Sequence, residues 1–410
     1  MSERWDEIDR YVVISSDAHC GGLLDDYIEY LPKEFHDECA AWRSTFVDPW
    51  GGNASEQARG QWDDVRRMSE MDDQGIAAEI LFPNSVPPFC PTLQLYITMP
   101  TSAEEYRLRW AGIKAHNRWL ADFCAVVPDR RGGLAQVFLN DVQDTIDEIH
   151  WAASVGMKGV LVPSVAPNHP MSPGLWSDAY DPVWAACAET GMVANFHAGG
   201  GTPDFTDSPA AAAVFLTEIQ FYTRRTLSHL ILGAVFEKHP NLKVVFTEAG
   251  VDWVVDALQG LDFLRVYAGM QGSIIENWVG PAMEALKMSP SEYFHRNIWL
   301  GASFMPRYSV LDRHKLGVDR LMWGSDYPHE EGTFPYSREA LQHSFFDVPV
   351  DECRMMFGGT AAKVYGFDLD ALAKVAARIG PRLDQVHQPL LNVPTDTQSA
   401  AFAMASTAGF

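Results

Sequence analysis

Tyr11-Val12-Val13-Ile14-Ser15-Ser16-Asp17-Ala18-His19 joins an apolar, strand-forming run to an acid and an imidazole two positions apart. Side chains alternate across a strand, so residues i and i+2 point to one face. Asp17 and His19 are therefore expected to project together from the end of a buried strand. Such a pair is either the start of a metal site or a hydrogen-bonded strand end. The choice depends on whether later strands deliver further ligands to the same end.

Outward from this stretch the chain alternates between strand and helix patterns. Further apolar runs predict strands at Ile76–Phe82, Gly133–Leu139, Gly159–Val162, Met192–His197, Leu242–Glu248, Asn297–Ala302 and Arg320–Gly324. Helical spacing of apolar residues falls over 104–126, Val142–Ser154, Asp181–Thr190, 209–238, roughly 251–292 and 307–316. Counting the first stretch, this gives eight strands, most followed by a helix, which implies parallel pairing with right-handed crossovers. Eight units favour an α/β fold of the (β/α)8 TIM-barrel type over an open sheet. No G-x-G-x-x-G follows the first strand, which counts against a dinucleotide fold. One barrel domain is expected over 1–380. Within it, an inserted segment at 20–75 carrying Trp42, Trp50 and Trp62 is a possible lid. Helices at 351–365 and 370–379 follow the last strand, and 381–410 reads as an arm across a partner subunit or a disordered tail.

Composition narrows the function classes. A chain of 410 residues with 47% hydrophobic content can bury a large core. Its formal net charge of −23 leaves no basic surface for phosphates, which argues against nucleic acid. The six cysteines are scattered without a C-x-x-C pair, so neither a zinc ribbon nor a disulfide framework is expected. Met1–Arg10 lacks a signal-peptide core, and no run approaches the ~18 apolar residues of a membrane span. The expectation is a soluble cytoplasmic protein with a small-molecule substrate and no membrane partner.

In a barrel of this kind the active site lies at the C-terminal ends of the strands. Those ends carry Asp17 and His19, Asn84, Asn140, Ser164, His197, Glu248, Ser303 and Asp326. Imidazoles and carboxylates that are far apart in sequence thus converge on one mouth, as a hydrolytic metal centre requires. His329 and Glu331 follow just beyond Asp326. They are either further ligands or hydrogen-bond partners of the ligands. On position alone, Asn84, Trp253 and Arg307 are substrate-binding candidates, together with Phe89 and Tyr327. Arg307 suits a carboxylate, whose two oxygens match its fork. The loop His197-Ala198-Gly199-Gly200-Gly201 allows backbone to approach a ligand but is not a phosphate loop, because no G-K-[ST] follows.

Four blocks carry a resemblance to a known family: Ser16-Asp17-Ala18-His19, Asn195-Phe196-His197, His239 through Glu248, and Met322 through His329. Over roughly 11–380 the chain resembles the amidohydrolase superfamily, in the branch of metal-dependent hydrolases and decarboxylases that also includes dinuclear iron oxygenases. The resemblance implies Asp17, His19, His197 and Asp326 as metal ligands, with Asp326 also a general base or a positioner of a substrate carboxylate. It also implies a dimer or tetramer, either of one chain or with a paralogue. Departures from the family pattern are Asp17, where a His or Glu is common, and Glu248, where the decarboxylases commonly have His. Lys158 sits at the start of its strand, about 13 Å from the catalytic end at ~3.3 Å per residue, so a bridging lysine carbamate is not expected.

The resulting site is rich in carboxylate oxygen. Asp17, His19, His197, Glu248, Asp326 and His329 form the ligand set, with Asp326, His197 and Glu248 as the catalytic residues. A mononuclear centre with zinc or manganese would hydrolyse or non-oxidatively decarboxylate a small organic acid or amide. A dinuclear iron or manganese centre would fit an oxygen-dependent hydroxylase, and a non-catalytic partner subunit is the remaining reading.

Overall fold

Near-continuous apolar strands are those covered on both faces. The computed structural model describes residues 4–47, 57–91, 98–203, 208–270, 272 and 274–403. In it these runs form eight parallel strands: β1 Ile14–Cys20, β2 Ala78–Pro83, β3 Arg131–Gln136, β4 Gly159–Leu161, β5 Val193–His197, β6 Val244–Thr247, β7 Ile298–Ser303 and β8 Leu321–Gly324. The strands pair in sequential order, and every strand residue is buried. Closure runs through β1 and the residues after β8. The Asp326 N–H donates to the Asp17 carbonyl at 2.8 Å, and the His19 N–H donates to that of Tyr327 at 2.7 Å. The fold is a (β/α)8 barrel.

Two apolar layers hold it. Ile14, Ile80, Phe82, Leu134, Leu161, Val193, Val245 and Met322 fill the barrel interior. Val13, Leu81, Ala135, Val160, Phe196, Phe246, Leu300 and Trp323 face outward into the helix layer. The N-terminal end is stoppered by helices Thr360–Tyr365 and Leu369–Ile379, whose Val364, Tyr365, Leu372 and Ala376 join the interior cluster. Lys158 points to that end, where its Nζ approaches the Gly366 carbonyl at 3.4 Å. That contact keeps Lys158 at the end of the barrel opposite the strand C-termini.

β1 contains one irregularity with consequences. Ser15 pairs with Glu79, but Ala18 pairs with Leu81, so three steps along β1 oppose two along β2. A bulge inverts the alternation beyond it. Ile14 faces the interior, and unbroken alternation would turn Ala18 and Cys20 inward too. Instead Ala18 and Cys20 lie in the outer layer, and Asp17 and His19 take the inner face.

The inserted segment is anchored to the barrel by charge. Arg67, from helix Asp64–Gln74, is fully buried and pairs bidentately with Glu79 of β2 at 2.6 and 2.8 Å. Its Nη1 also donates to the carbonyls of His19 at 2.7 Å and Gly60 at 3.0 Å. Trp50 lies outside the described residues.

Several helical predictions divide. The 209–238 stretch is two helices, Pro209–Leu232 and Val235–Lys238, because Ala234 takes a left-handed φ of 54°. The 251–292 stretch is Trp253–Ala268, Ile274–Glu284 and the start of Pro290–Asn297, the last opened by a Ser289 capping box. The 307–316 stretch breaks at Asp312. Residues 381–403 fold back on their own chain rather than fraying. The Tyr11 N–H donates to the Pro381 carbonyl, Gln398 donates to Glu330, and Ala401 and Phe402 are buried against Ala340. Residues 404–410 lie outside the described set. Among the described residues, no helix is long and apolar enough to cross a membrane.

Removing one partner of a buried ion pair leaves an uncompensated charge. Arg67→Met is therefore expected to cost about 3–5 kcal/mol by urea denaturation. The double variant Arg67→Met/Glu79→Met should recover most of that loss, and a single variant with wild-type stability would show that the pair does not anchor the insertion.

Candidate metal centre

Three strand ends and one closing turn build the centre. Past the bulge, β1 aims Asp17 and His19 into the mouth. β5 turns His197 to the same interior face as Val193. Asp326 follows β8 with φ 57°, and Glu248 follows β6 with φ 54°. A left-handed conformation is unfavourable for residues with a Cβ and clusters where a side chain must be aimed. Phe82 forms the floor, its ring centroid 5.8 Å from that of His19 and 4.7 Å from that of His197. Gly324 permits the close approach of β8 to β1, since a Cβ there would lie 2.6 Å from Asp17 Cβ.

The donor atoms face one another. His19 Nε2 lies 3.3 Å from Asp17 Oδ1 and 3.0 Å from Asp326 Oδ1, and His197 Nε2 lies 3.5 Å from the same Asp17 Oδ1 and 3.4 Å from Glu248 Oε2. Yet Asp17 Oδ1, His19 Nε2, His197 Nε2 and Asp326 Oδ2 are all buried without an aligned hydrogen-bond partner. Such groups normally have partners. With metal–ligand bonds of about 2.1 Å, adjacent ligand atoms are separated by about 3.0–3.4 Å. The spacing and the missing hydrogen bonds both fit a cation held by Asp17, His19, His197 and Asp326.

Their surroundings orient them. Ser303, at the end of β7, donates to Asp17 Oδ2 and leaves Oδ1 facing the imidazoles. His197 Nδ1 is 3.0 Å from the Ala198 carbonyl, which directs Nε2 inward. Thr223 donates to the His197 carbonyl at 2.8 Å. His329 Nδ1 approaches Asp326 Oδ1 at 2.9 Å and its Nε2 approaches Asn84 Oδ1 at 3.1 Å, so both ring nitrogens are engaged. His329 thus braces Asp326, and Asn84 is brought to the site through it. Three overlapping groups have ligand atoms within 4.8 Å of one another: Asp17/His19/His197, His19/Asp326/His329 and Glu248/Asp326/Glu331.

The electrostatics follow the chemistry. Burial opposes ionisation of Asp17, but its contacts with His19 and His197 outweigh it and hold the carboxyl well below the usual range. Asp326 is also lowered, because His329 and His19 overcome its burial. Glu248 goes the other way: burial first, then the Asp326 charge, push it up to about 8. For His329, burial disfavours the cation, but the Asp326 charge and hydrogen bond lift it to about 10.

A cavity of about 340 Å³ adjoins the centre, bounded by Glu248 on one side. Trp253 lines it, as position alone predicts, with Arg224 of helix Pro209–Leu232 and Tyr308. Arg307 does not. It pairs with Asp347 at 2.6 Å through both Nη atoms, donates to the Ser344 carbonyl at 3.0 Å and covers Phe346. Its place after β7 suggested the mouth, but the short helix Arg307–Leu311 turns it toward helix Ser337–Phe345. Arg224 has no sequence signal, since it lies mid-helix between Arg225 and Thr223 and far from any strand end. Ser303 had a signal as a strand-end residue, though not for its contact with Asp17.

His197→Ala is expected to lose most bound divalent metal by elemental analysis while keeping the wild-type circular dichroism spectrum. Unfolding would instead assign His197 a structural role. A second expectation concerns the metal-free protein. Glu248 binds its proton more tightly folded than unfolded, so stability should fall as pH rises from the ordinary 4.5 to about 8. The raised His329 continues that fall from 6.5 to about 10. In thermal melts across pH, Glu248→Gln should flatten the first part of the decline, and an unchanged profile would remove Glu248 as its source.

A family model described as Amidohydrolase matches residues 95–367. The match begins after β2, so it takes in His197, Glu248 and Asp326 and leaves Asp17 and His19 outside. No curated protein matches the sequence. Among solved structures, 5-carboxyvanillate decarboxylase of Novosphingobium aromaticivorans, determined with bound manganese, aligns with TM-score 0.64 at 22% identity over 87% of this chain and 98% of that one. An amidohydrolase of Mycobacterium avium subsp. paratuberculosis gives 0.62 at 20% identity, covering 87% and 98%. 2,6-Dihydroxybenzoate decarboxylase of Rhizobium gives 0.59 at 15% identity, covering 88% and 99%. The structural likenesses speak for the barrel, and the family match, which spans more than half of the sequence, places this chain in the amidohydrolase family.

Proposed function

We propose that the chain is a metal-dependent enzyme that hydrolyses or non-oxidatively decarboxylates a small organic acid or amide. The observation that carries this reading is the meeting of three buried ligand atoms, Asp17 Oδ1, His19 Nε2 and His197 Nε2, without aligned hydrogen bonds, with Asp326 Oδ1 3.0 Å from His19 Nε2. The manganese of the structurally similar decarboxylase is consistent with a divalent cation at such a centre. A bound cation would supply Lewis acidity, polarising a carboxyl or carbonyl group and lowering the pKa of a coordinated water toward about 7.

The remaining roles belong to the chain. Asp326 is the base: its carboxyl is held ionised, and His329 and Asn84 fix its orientation. Glu248 borders the cavity with a proton affinity raised to about 8, which suits a residue that gives a proton to a leaving group or a ring carbon. Phe82 and the stopper beneath it close the floor to water.

The second reading, a dinuclear iron or manganese oxygen-dependent hydroxylase, is favoured by one feature. Glu248, Asp326 and Glu331 form another group of ligand atoms, sharing Asp326 with the His19/Asp326/His329 group. Such an enzyme would need oxygen and an electron donor.

Metal content and anaerobic turnover separate these readings. Protein from iron- and manganese-supplemented medium is expected to hold about one equivalent of zinc or manganese per chain and to turn over aromatic acids or amides without oxygen. Two equivalents including iron, with strict oxygen dependence, would overturn the first reading in favour of the second. In the active enzyme, Asp326→Asn should lower kcat by about 100-fold or more.

A further inference from the structure

We infer that Arg224 is the substrate's carboxylate-binding residue, and that the substrate is a small, flat organic acid whose reacting group faces the metal centre. The inference rests on the metal-dependent reading above and deepens it by choosing the acid over the neutral amide.

The guanidinium is fixed in place. Its Nε donates to the Ala249 carbonyl at 2.7 Å, and Nη2 donates to Gln220 Oε1. Its carbon stands 5.6 Å from the centroid of the Trp253 ring. Gly250, at φ 68°, lets the backbone pass close by, since a Cβ there would come within 3.1 Å of Nη2. A planar fork held this way loses little freedom when it binds a planar anion. The helix that carries it is also tied to the centre, because the preceding residue, Thr223, donates to the His197 carbonyl.

What the fork lacks is an anion. The chain has 54 acidic residues against 31 basic ones, and several of its arginines are paired with them: Arg67 with Glu79, Arg131 with Asp64, Arg313 with Glu352. Half-buried Arg224 ion-pairs with no acidic side chain among the described residues, and its Nη1 has no partner there. Asp252, the acid whose charge acts on it, sits at the cavity rim toward Ser309 Oγ, 3.5 Å from both its oxygens. A cation facing a cavity with its Nη1 donors unused is a site for an anion brought from outside. Trp253, Tyr308 and Phe304 provide flat apolar surface beside it, which suits an aromatic or other planar body. Glu248 bounds the same space, so a molecule on Arg224 adjoins the metal centre. A neutral amide would leave the guanidinium unpaired.

Calorimetric titration of benzoate and its neutral isostere benzamide tests this. Wild-type protein, metal-loaded or metal-free, should bind benzoate, and Arg224→Gln should weaken it by about tenfold or more. Benzamide binding and metal content should stay unchanged in that variant. Arg224→Lys, which keeps the charge without the fork, should fall between the two and guards against a folding defect of the glutamine variant. Equal benzoate affinity in wild type and Arg224→Gln, or no benzoate binding by wild type, overturns the assignment. Because benzoate binding does not require the metal, a protein that binds benzoate through Arg224 but holds no metal would refute the metal-dependent reading and leave only the Arg224 carboxylate site standing.

Discussion

One extra residue in β1 decides where the chemistry stands. Without the bulge between Ser15 and Ala18, the interior face of β1 beyond Ile14 would carry Ala18 and Cys20, and Asp17 and His19 would face the helices. Two consequences follow from its position. Asp17 reaches the imidazoles of both His19 and His197, so the centre spans the barrel mouth from strand one to strand five. The same segment also closes the barrel, through backbone bonds from Asp326 and His19. Ligand placement and barrel closure are thus one local geometry, and the buried Arg67 that clamps the His19 carbonyl reinforces both.

The bulge also explains how far the sequence could be read. The pairing of Asp17 with His19 was legible because i and i+2 share a face regardless of which face that is. Which face they share was not legible, since an inserted residue leaves no composition signal. The eight strands were legible because double burial demands long apolar runs, and their ends moved by only a few residues. Helix breaks were less so: Ala234 adopts a left-handed turn that its identity does not announce, and Asp312 divides a periodic stretch. Cavity-lining residues were the least legible. Arg307 stood at the right strand end but on a short helix whose direction sends it to Asp347, whereas Arg224 reaches the cavity from the middle of a long helix. Strand ends fix ligand positions, but helix rotation fixes cavity walls, and rotation depends on packing that no local pattern states.

The charge arrangement separates two tasks in one mouth. Asp17 and Asp326 are wholly buried and held ionised, and their contacting partners are imidazoles rather than a permanent cation. Burying two carboxylates is unfavourable unless a positive charge joins them. His329 supplies one beside Asp326, and its proton is held by the Asp326 carboxylate. The inner side, where Asp17 Oδ1, His19 Nε2 and His197 Nε2 meet, has no lysine or arginine in contact with it among the described residues, a deficit of permanent positive charge. Glu248, through its burial and then the Asp326 charge, retains its proton up to about 8. A divalent ion would remove the deficit at its source, and Arg224 lies on the cavity wall instead of among the ligands. On the proposed reading, the positive charge that would hold an acidic substrate is therefore kept apart from the positive charge that the candidate ligands would need.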